Sequence, residues 1–245
     1  MRFVLYNIRY GTGADWRFHL PVPMSGYLRR THNNLKQITD FFHSLDPDII
    51  GLIEVDSGSY RTGKRNQAVQ IPDALDFDHF YMSKYAKNSM VHAIPVLNQQ
   101  GNAFLTKQNI RPPRFHYFTE GLKRLVIELE FDRFVIFLVH LALTFRSRQY
   151  QLQTLYSLFQ ETDKPTIVAG DFNALWGDRE LGLFMAATGL VNANTGGLPT
   201  FPAVAPVRQL DFILHDPSIR VTRFEVPRVR FSDHLPLVCD FEIEE

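Results

Sequence analysis

The sequence has one cysteine among its 245 residues, so an internal disulfide is excluded. This residue, Cys239, lies in an alternating apolar run, which favours a thiol packed in the core over a reactive one. Long apolar runs are also absent, because no stretch reaches the roughly 18 residues that a membrane span requires. An integral membrane span is therefore not expected, and any membrane contact would be peripheral.

An excess of charge of one sign is missing as well, since Lys and Arg number 26 and Asp and Glu also number 26. The chain therefore has no global positive field that would attract nucleic acid nonspecifically, although the composition does not exclude a local basic patch. No linker or short-period repeat is visible, and we expect a single domain over residues 1–245. The first residues run straight into a strand without the apolar stretch of a signal peptide, which predicts a cytoplasmic location.

The hydrophobic pattern predicts strands mixed with helices. Residues 2–8 predict a strand, 30–45 an amphipathic helix and 49–53 a second strand, as in an α/β unit. Two β-rich runs, 122–131 and 133–141, predict a hairpin. Further helices are predicted over 64–75, 146–160 and 180–187, and further strands over 77–82, 102–105, 165–169, 210–214, 219–226 and 235–243. The mixture predicts an α/β (α+β) fold, a four-layer sandwich of two mixed β-sheets flanked by helices.

Polar residues recur where predicted strands end. Gly170-Asp171-Phe172-Asn173 follows an apolar run, and strand alternation would aim the Asp171 carboxylate and the Asn173 carboxamide at one point. Other predicted strands end at or beside Asn7, Glu54, His140, Asp211 and the pair Asp233-His234. This recurrence predicts a site for a metal ion and a phosphate group.

The residue types suit phosphate ester hydrolysis, which needs a hard cation, a positioned water and a proton donor for the leaving oxygen. Mg²⁺ usually takes one or two protein carboxylates, so Glu54 with Asp171 or Asp233 would suffice. Alternatively, Asp171 orients or deprotonates the attacking water. Each acid taken alone also has an ordinary explanation as a solvated residue at the end of a strand.

The amides and histidines complete this chemistry. The amide nitrogens of Asn7 and Asn173 would donate to phosphate oxygens. His140 and His234 would donate to the pentacovalent phosphorus centre, with Asp211 orienting His234. A histidine such as His140, taken alone, is more often a satisfied semi-buried residue than a catalyst.

Taken in order, these motifs resemble the endonuclease/exonuclease/phosphatase superfamily, from Tyr6-Asn7-Ile8 to Ser232-Asp233-His234-Leu235-Pro236. The resemblance implies a DNase I-like fold and a metal-dependent phosphoric ester hydrolase with Mg²⁺, for which Mn²⁺ is a possible substitute. The implied site consists of catalytic His140, Asp171, Asn173, Asp211 and His234, phosphate-binding Asn7, Arg61 and Asn173, and metal-binding Glu54 and Asp233. Arg148 and Gln151 resemble the helix that follows the first histidine of the family.

Departures from the family pattern reduce the number of substrate classes that we expect for this chain. The abasic-site nucleases carry a tyrosine-centred motif where this chain has Val139-His140-Leu141, and they place tryptophans where this chain has Phe201. Secreted DNase-type relatives usually carry disulfides and a leader. A phosphodiesterase or phosphomonoesterase is therefore expected, acting on a phosphorylated small molecule, a lipid head group or a nucleic acid.

Two alternatives stay open. An endonuclease or exonuclease acting on DNA or RNA would use a local basic strip formed by Arg29, Arg30, Arg61, Lys64 and Arg65. A non-catalytic member would bind a phosphorylated ligand without turnover. Six loop residues are further candidates for substrate contact, although such side chains more often pack beneath their loop. These residues are Trp16, Phe18, Tyr27, Tyr85, Met90 and Trp176. The sequence does not predict the oligomeric state.

Overall fold

The computed structural model describes residues 1–13, 32–83, 99–121 and 123–243, with the side chains of residues 32, 33 and 61 outside the description. The strands are β1 (Arg2–Asn7), β2 (Ile49–Asp56), β3 (Asp78–Ser83), β4 (Gln100–Thr106), β5 (Arg114–Tyr117), β6 (Leu125–Glu130), β7 (Val135–His140), β8 (Thr166–Asp171), β9 (Val191–Asn192), β10 (Asp211–His215), β11 (Ile219–Glu225) and β12 (Leu237–Ile243). The α-helices are α1 (His32–Leu45), α2 (Gln67–Leu75), α3 (Phe145–Phe159) and α4 (Asp178–Thr188).

Within the described residues, the strands form two six-stranded sheets. The first has the order β11-β12-β1-β2-β4-β3 and the second the order β5-β6-β7-β8-β10-β9. Each sheet contains one parallel pair, β1 with β2 and β7 with β8, and its other pairs are antiparallel. Parallel neighbours require a crossover connection, which α1 and α3 provide. The predicted sandwich of two mixed sheets is confirmed.

Alternation along the strands builds three apolar layers. In β1, Phe3 and Leu5 face the second sheet, whereas Val4 and Tyr6 face the opposite way toward the helices. Helices α1 and α2 cover the outer face of the first sheet, and α3 and α4 cover the outer face of the second. Because each fully buried Phe or Leu contributes roughly 1.5–3 kcal/mol, these layers fix the strand ends firmly.

Several local predictions differ from the observed elements. The hairpin of β6 and β7 is confirmed, but β5 and the short β9 were not predicted. Helix α2 starts at Gln67 rather than at residue 64, because the side chain of Asn66 accepts a hydrogen bond from the Ala68 N–H and caps the helix. Lys64 itself has φ 64°, which no helix residue adopts.

The parallel pairs determine where the polar strand ends lie. Strands β1 and β2 run in the same direction, and so do β7 and β8, so the carboxyl ends of each pair share one edge. Strands β1 and β2 both contact β8, which brings these two edges together. Across the described part of the chain, no helix has the length and apolar character needed to cross a bilayer.

Candidate active site

The register of the second sheet aligns three candidate side chains. His140 at the end of β7 is the Cα partner of Asp171 at the end of β8, and Asp211 at the start of β10 is the partner of Asp171 on its other side. Gly170 allows this close pairing, because a Cβ there would lie 1.9 Å from the carbonyl oxygen of Val139. Strand pairing alone therefore places an imidazole and two carboxylates in a row.

Glu54 reaches this row from the first sheet through a distortion of β2. The register of β2 against β4 shifts between Leu52 and Val55, and Glu54 has φ 58°. A bulge of this kind redirects a side chain. As a result, the Glu54 Oε1 lies 3.9 Å from the Nε2 of His140.

Asp171 is the centre of the cluster and is almost completely buried. Its Oδ2 accepts a hydrogen bond from the Asn7 Nδ2 at 3.0 Å and lies 3.2 Å from His140 Nε2 and 3.9 Å from His234 Nε2. Its Oδ1 accepts from the backbone N–H of Asn173 at 3.0 Å. Burial opposes ionisation, but His234 and His140 together hold the pKa of Asp171 well below its usual range. The carboxyl is therefore ionised.

His234 is held in a relay of hydrogen bonds. Its Nδ1 lies 2.8 Å from the Asp211 Oδ2, which also accepts a hydrogen bond from the Thr200 hydroxyl at 2.7 Å. The ring of Phe201 packs against the imidazole with the centroids 4.9 Å apart. Burial disfavours the charged ring, but Asp211 and Asp171 outweigh it and raise the pKa of His234 to about 10. At neutral pH His234 is therefore an imidazolium with a proton on Nε2.

His140 has the opposite electrostatic character. Burial and the nearby Lys123 ammonium lower the pKa of His140 to about 4, against the effect of Asp171 and Glu54. The Nζ of Lys123 contacts the Nε2 of His140 directly. The site thus contains one neutral and one cationic imidazole on either side of Asp171.

The two asparagines are positioned by bonds within the site. Asn173 lies beyond the end of β8 with φ 51°, so strand alternation does not account for its placement. Its Nδ2 donates to the carbonyl oxygen of Leu141 at 2.9 Å. The Asn7 Nδ2 donates to Asp171, and the Asn7 Oδ1 accepts from the Arg9 N–H at 3.1 Å. Phosphate binding by these amides stays a prediction.

The last two predicted residues are Asp233, which pairs with an arginine, and Arg61, whose side chain is not described. The Asp233 Oδ2 pairs with the Nη1 of Arg9 at 3.2 Å, although Asp233 directly precedes His234. Arg61 belongs to the short 3-10 helix Tyr60–Thr62, and its side chain lies outside the described part. Their metal-binding and phosphate-binding roles stay predictions.

The donor set fits a hard divalent cation. Ligand atoms of Asp171, Asp211 and His234 lie within 4.8 Å of one another, and Glu54 adds a carboxylate near His140; because His234 is protonated, the carboxylate oxygens are the atoms that could coordinate an ion. The Asp211 Oδ1 is buried and, among the described residues, has no hydrogen-bond partner. Carboxylate oxygens are the ligands that Mg²⁺ and similar ions prefer. The site can therefore hold a cation and, beside it, an anionic oxygen.

Three further residues at the site were not found from the sequence. Lys123, Thr200 and Arg9 contact His140, Asp211 and Asp233 respectively. Thr200 lies just before Phe201-Pro202, a segment considered only for its aromatic ring. Lys123 lies inside the predicted strand 122–131 and Arg9 directly follows the predicted strand 2–8, and neither residue belongs to a sequence motif that would have revealed its role.

Of the six loop side chains considered for substrate contact, Trp176 is exposed and the other five are not described. Trp176 has 69% of its surface exposed, and Leu143 on the loop after β7 and Phe145 at the start of α3 are 65% and 53% exposed. Five other side chains that were considered for substrate contact lie outside the described residues, and they are Trp16, Phe18, Tyr27, Tyr85 and Met90.

Several solved structures of other proteins share this fold. A solved family protein from Bacteroides thetaiotaomicron superposes with a TM-score of 0.74 at 17% identity, covering 100% of this chain and 98% of that one. The human Nocturnin catalytic domain with bound sulfate gives 0.70 at 20% identity, with 100% and 94% covered. A Bacteroides thetaiotaomicron mannosyl-6-phosphatase gives 0.71 at 16%, with 99% and 100% covered. At these identities the likeness establishes the DNase I-like fold alone.

Sequence comparison establishes the family. No curated protein sequence matches the chain. The model of the Endonuclease/Exonuclease/phosphatase family matches residues 4–234, which include every residue of the cluster from Asn7 to His234. The family's description names enzymes that hydrolyse phosphate esters. The chain therefore belongs to the Endonuclease/Exonuclease/phosphatase family.

Proposed function

We propose that the protein is a Mg²⁺-dependent hydrolase of phosphate esters, either a phosphodiesterase or a phosphomonoesterase, that uses in-line attack by water. The observation that carries the proposal is the meeting of strand ends from both sheets around Asp171. Glu54 comes from the first sheet, and His140 and Asp211 come from the second. Ionisable side chains that converge in one buried cluster from distant strand ends are typical of a functional site.

Glu54 would hold the cation, with Asp233 as the second proposed ligand. Mg²⁺ needs only one or two protein carboxylates and keeps several waters, so the remaining acids are free for other roles. When bound, the ion supplies neutralising charge to the phosphoryl oxygens. Mn²⁺ is a possible substitute because it accepts the same oxygen ligands.

Asp171 is the proposed partner of the attacking water. Its pKa lies well below the usual range, so it is a weak base and a better hydrogen-bond acceptor than proton acceptor. Asn7 and the Asn173 N–H fix both of its oxygens. Asp171 therefore orients the water toward the phosphorus and takes up its proton only as the bond forms.

His234 is the proposed donor to the phosphoryl group. As an imidazolium it presents the Nε2 proton on the side that faces Asp171, while Asp211 and Thr200 hold the opposite side of the ring. A preorganised charged donor stabilises the negative charge that develops on oxygen in the transition state. The leaving oxygen departs on the side of the phosphorus opposite the attacking water and takes its proton from solvent.

Assays with p-nitrophenyl phosphate and bis(p-nitrophenyl) phosphate test the proposal. We expect turnover with Mg²⁺ or Mn²⁺, none with EDTA, and at least about a hundredfold loss of kcat in Glu54→Gln, Asp171→Asn and His234→Ala. Asp40→Asn is the matched control, because the Asp40 carboxylate is 62% exposed on α1 in a surface pair with Lys36. Turnover that survives EDTA or all three substitutions would contradict the proposal.

A nuclease acting on DNA or RNA is the second candidate. Lys64 and Arg65 are exposed directly after the 3-10 helix Tyr60–Thr62, which favours a local contact with a phosphate backbone. Cleavage of single- and double-stranded DNA and of RNA at low salt separates this candidate from a small-molecule esterase. Lys64→Ala with Arg65→Ala would weaken nucleic acid cleavage and leave hydrolysis of p-nitrophenyl esters unchanged.

A further inference from the structure

Lys123 has an unusual position among the cations of the molecule. Its Nζ contacts His140, which in turn lies 3.2 Å from Asp171 and 3.9 Å from Glu54. The other described lysines that form ion pairs, such as Lys36 and Lys164, have a carboxylate oxygen at 2.8 Å. Within the described ranges, no carboxylate lies within ion-pair distance of the Lys123 Nζ. Its charge is therefore available to an anion that enters the site.

The segment before β6 is held by one buried glutamine. The Nε2 of Gln151 donates to the carbonyl oxygens of Glu120 at 2.9 Å and Lys123 at 2.6 Å. The Oε1 of Gln151 accepts from the Ala142 N–H at 2.7 Å, two residues beyond His140. One completely buried carboxamide thus ties the backbone of Lys123 to the strand end that carries His140.

The turn of this segment is shaped around the same glutamine. Gly121 has φ 85°, and a Cβ on it would lie 2.8 Å from the Gln151 Nε2. The Phe118 N–H donates to the Arg124 carbonyl at 2.7 Å and closes the segment on itself. Because the backbone is already held, an ordered contact by the lysine has only the side-chain rotamer entropy of about 2 kcal/mol to overcome.

We propose that Lys123 is a catalytic residue that binds a non-bridging oxygen of the substrate's phosphoryl group, and that Gln151 is the positioning residue that holds it there. This inference rests on the proposed function, since it concerns the same site. An ammonium group has three donor protons, so contact with His140 leaves others for a phosphoryl oxygen. Lysine is a common phosphate ligand of the point-charge type.

Phosphate binding gives a test that does not depend on turnover. We would titrate inorganic phosphate into the Mg²⁺-loaded protein by calorimetry and compare Lys123→Met, Lys123→Arg and Lys36→Met. We expect Lys123→Met to bind phosphate at least about tenfold more weakly, Lys123→Arg to retain most of the affinity, and Lys36→Met to match the wild type. Thermal unfolding of each variant verifies that the fold is intact.

A double-mutant cycle tests the positioning role. Gln151→Glu retains the acceptor for the Ala142 N–H but removes both donors to the carbonyl oxygens. We expect it to weaken phosphate binding about as much as Lys123→Met, with no further loss in the double variant. Losses that multiply would refute the positioning role, because a merely structural glutamine would act independently of the lysine.

The outcomes separate this inference from the proposed function. Unchanged phosphate affinity in Lys123→Met, or no phosphate binding by the wild type, would overturn the inference. Phosphate binding that depends on Lys123 in a protein without turnover of any ester would support the phosphate-binding role of Lys123 and contradict both its catalytic role and the proposed hydrolase. With active protein, we expect Lys123→Met to raise KM and to lower kcat on both p-nitrophenyl substrates.

Discussion

A buried ion pair beneath the site provides the sharpest test of the structure. The Nε of Arg148 on α3 donates to the Oε2 of Glu180 on α4 at 2.9 Å, and its Nη2 contacts the same oxygen. The Nη1 of Arg148 donates to the carbonyl oxygens of Ala142 at 2.8 Å and Leu143 at 3.1 Å. The Oε1 of Glu180 accepts from the Trp176 N–H at 3.0 Å. The pair therefore joins the loop after His140 to the loop after Asn173.

Arg148→Met leaves the carboxylate of Glu180 buried without its counter-charge, and both side chains have at most 2% of their surface exposed. Removing one partner of such a pair costs about 3–5 kcal/mol, a large part of the roughly 5–15 kcal/mol that stabilises a typical domain. The double variant Arg148→Met, Glu180→Leu removes both charges and should recover part of this loss. Lys36→Met is the matched control, because its exposed pair with Asp40 contributes less than about 1 kcal/mol.

Urea denaturation followed by circular dichroism and fluorescence measures these free energies. The expected order of stability is wild type and Lys36→Met, then the double variant, then Arg148→Met. A loss below about 1 kcal/mol in Arg148→Met would refute the assignment of a buried, charged pair. A double variant less stable than Arg148→Met would show that the charges themselves, rather than their isolation, stabilise the fold.

Three further predictions concern single residues. Gly170→Ala brings a methyl group against the Val139 carbonyl and should destabilise the protein by about 1–3 kcal/mol in urea, whereas Gly182→Ala in open space on α4 should not destabilise it. Cys239 is 2% exposed, and burial raises the pKa of its thiol to about 12. A disulfide reagent should therefore modify this thiol only after the protein unfolds. Rapid modification of the native protein would contradict the burial of Cys239. His234, with a pKa raised from 6.5 to about 10 by Asp211 and Asp171 despite burial, should stabilise the metal-free protein fully below pH 6.5 and lose this contribution as the pH rises through 10. NMR titration of the ring measures this pKa, and an ordinary value would contradict the ion pair.

The sequence predicted the parts of this protein that follow from short-range pattern. Apolar alternation gave the hairpin of β6 and β7, and the helix predicted over 180–187 is α4, which Gly189 ends in the left-handed conformation. Glu54 and His140 were recognised as candidates because they stand where apolar runs end. Their mutual distance did not follow from the pattern, since it depends on the packing of one sheet against the other.

The features that were missed depend on long-range contacts. The distortion of β2 at Glu54 has no signature in an apolar run, although it decides where the carboxylate points. Thr200 lies in a stretch where no helix or strand was predicted, yet the bridge between Phe201 and Arg208 orders it beside Asp211. The backbone of Lys123 is held by a hydrogen bond from Gln151, which is 28 positions away in the chain.

The row formed by His140, Asp171 and Asp211 has a consequence for how the protein tolerates change. Because neighbouring strands hold these residues, a slip of one position in any of the three would turn its side chain to the opposite face and dismantle the row at once. The side chains of Leu143 and Trp176 beside it are exposed and have no such constraint, although Arg148 and Glu180 hold the backbone of both residues. Substitutions of these two side chains can therefore change the surface around the row while the row itself persists unchanged.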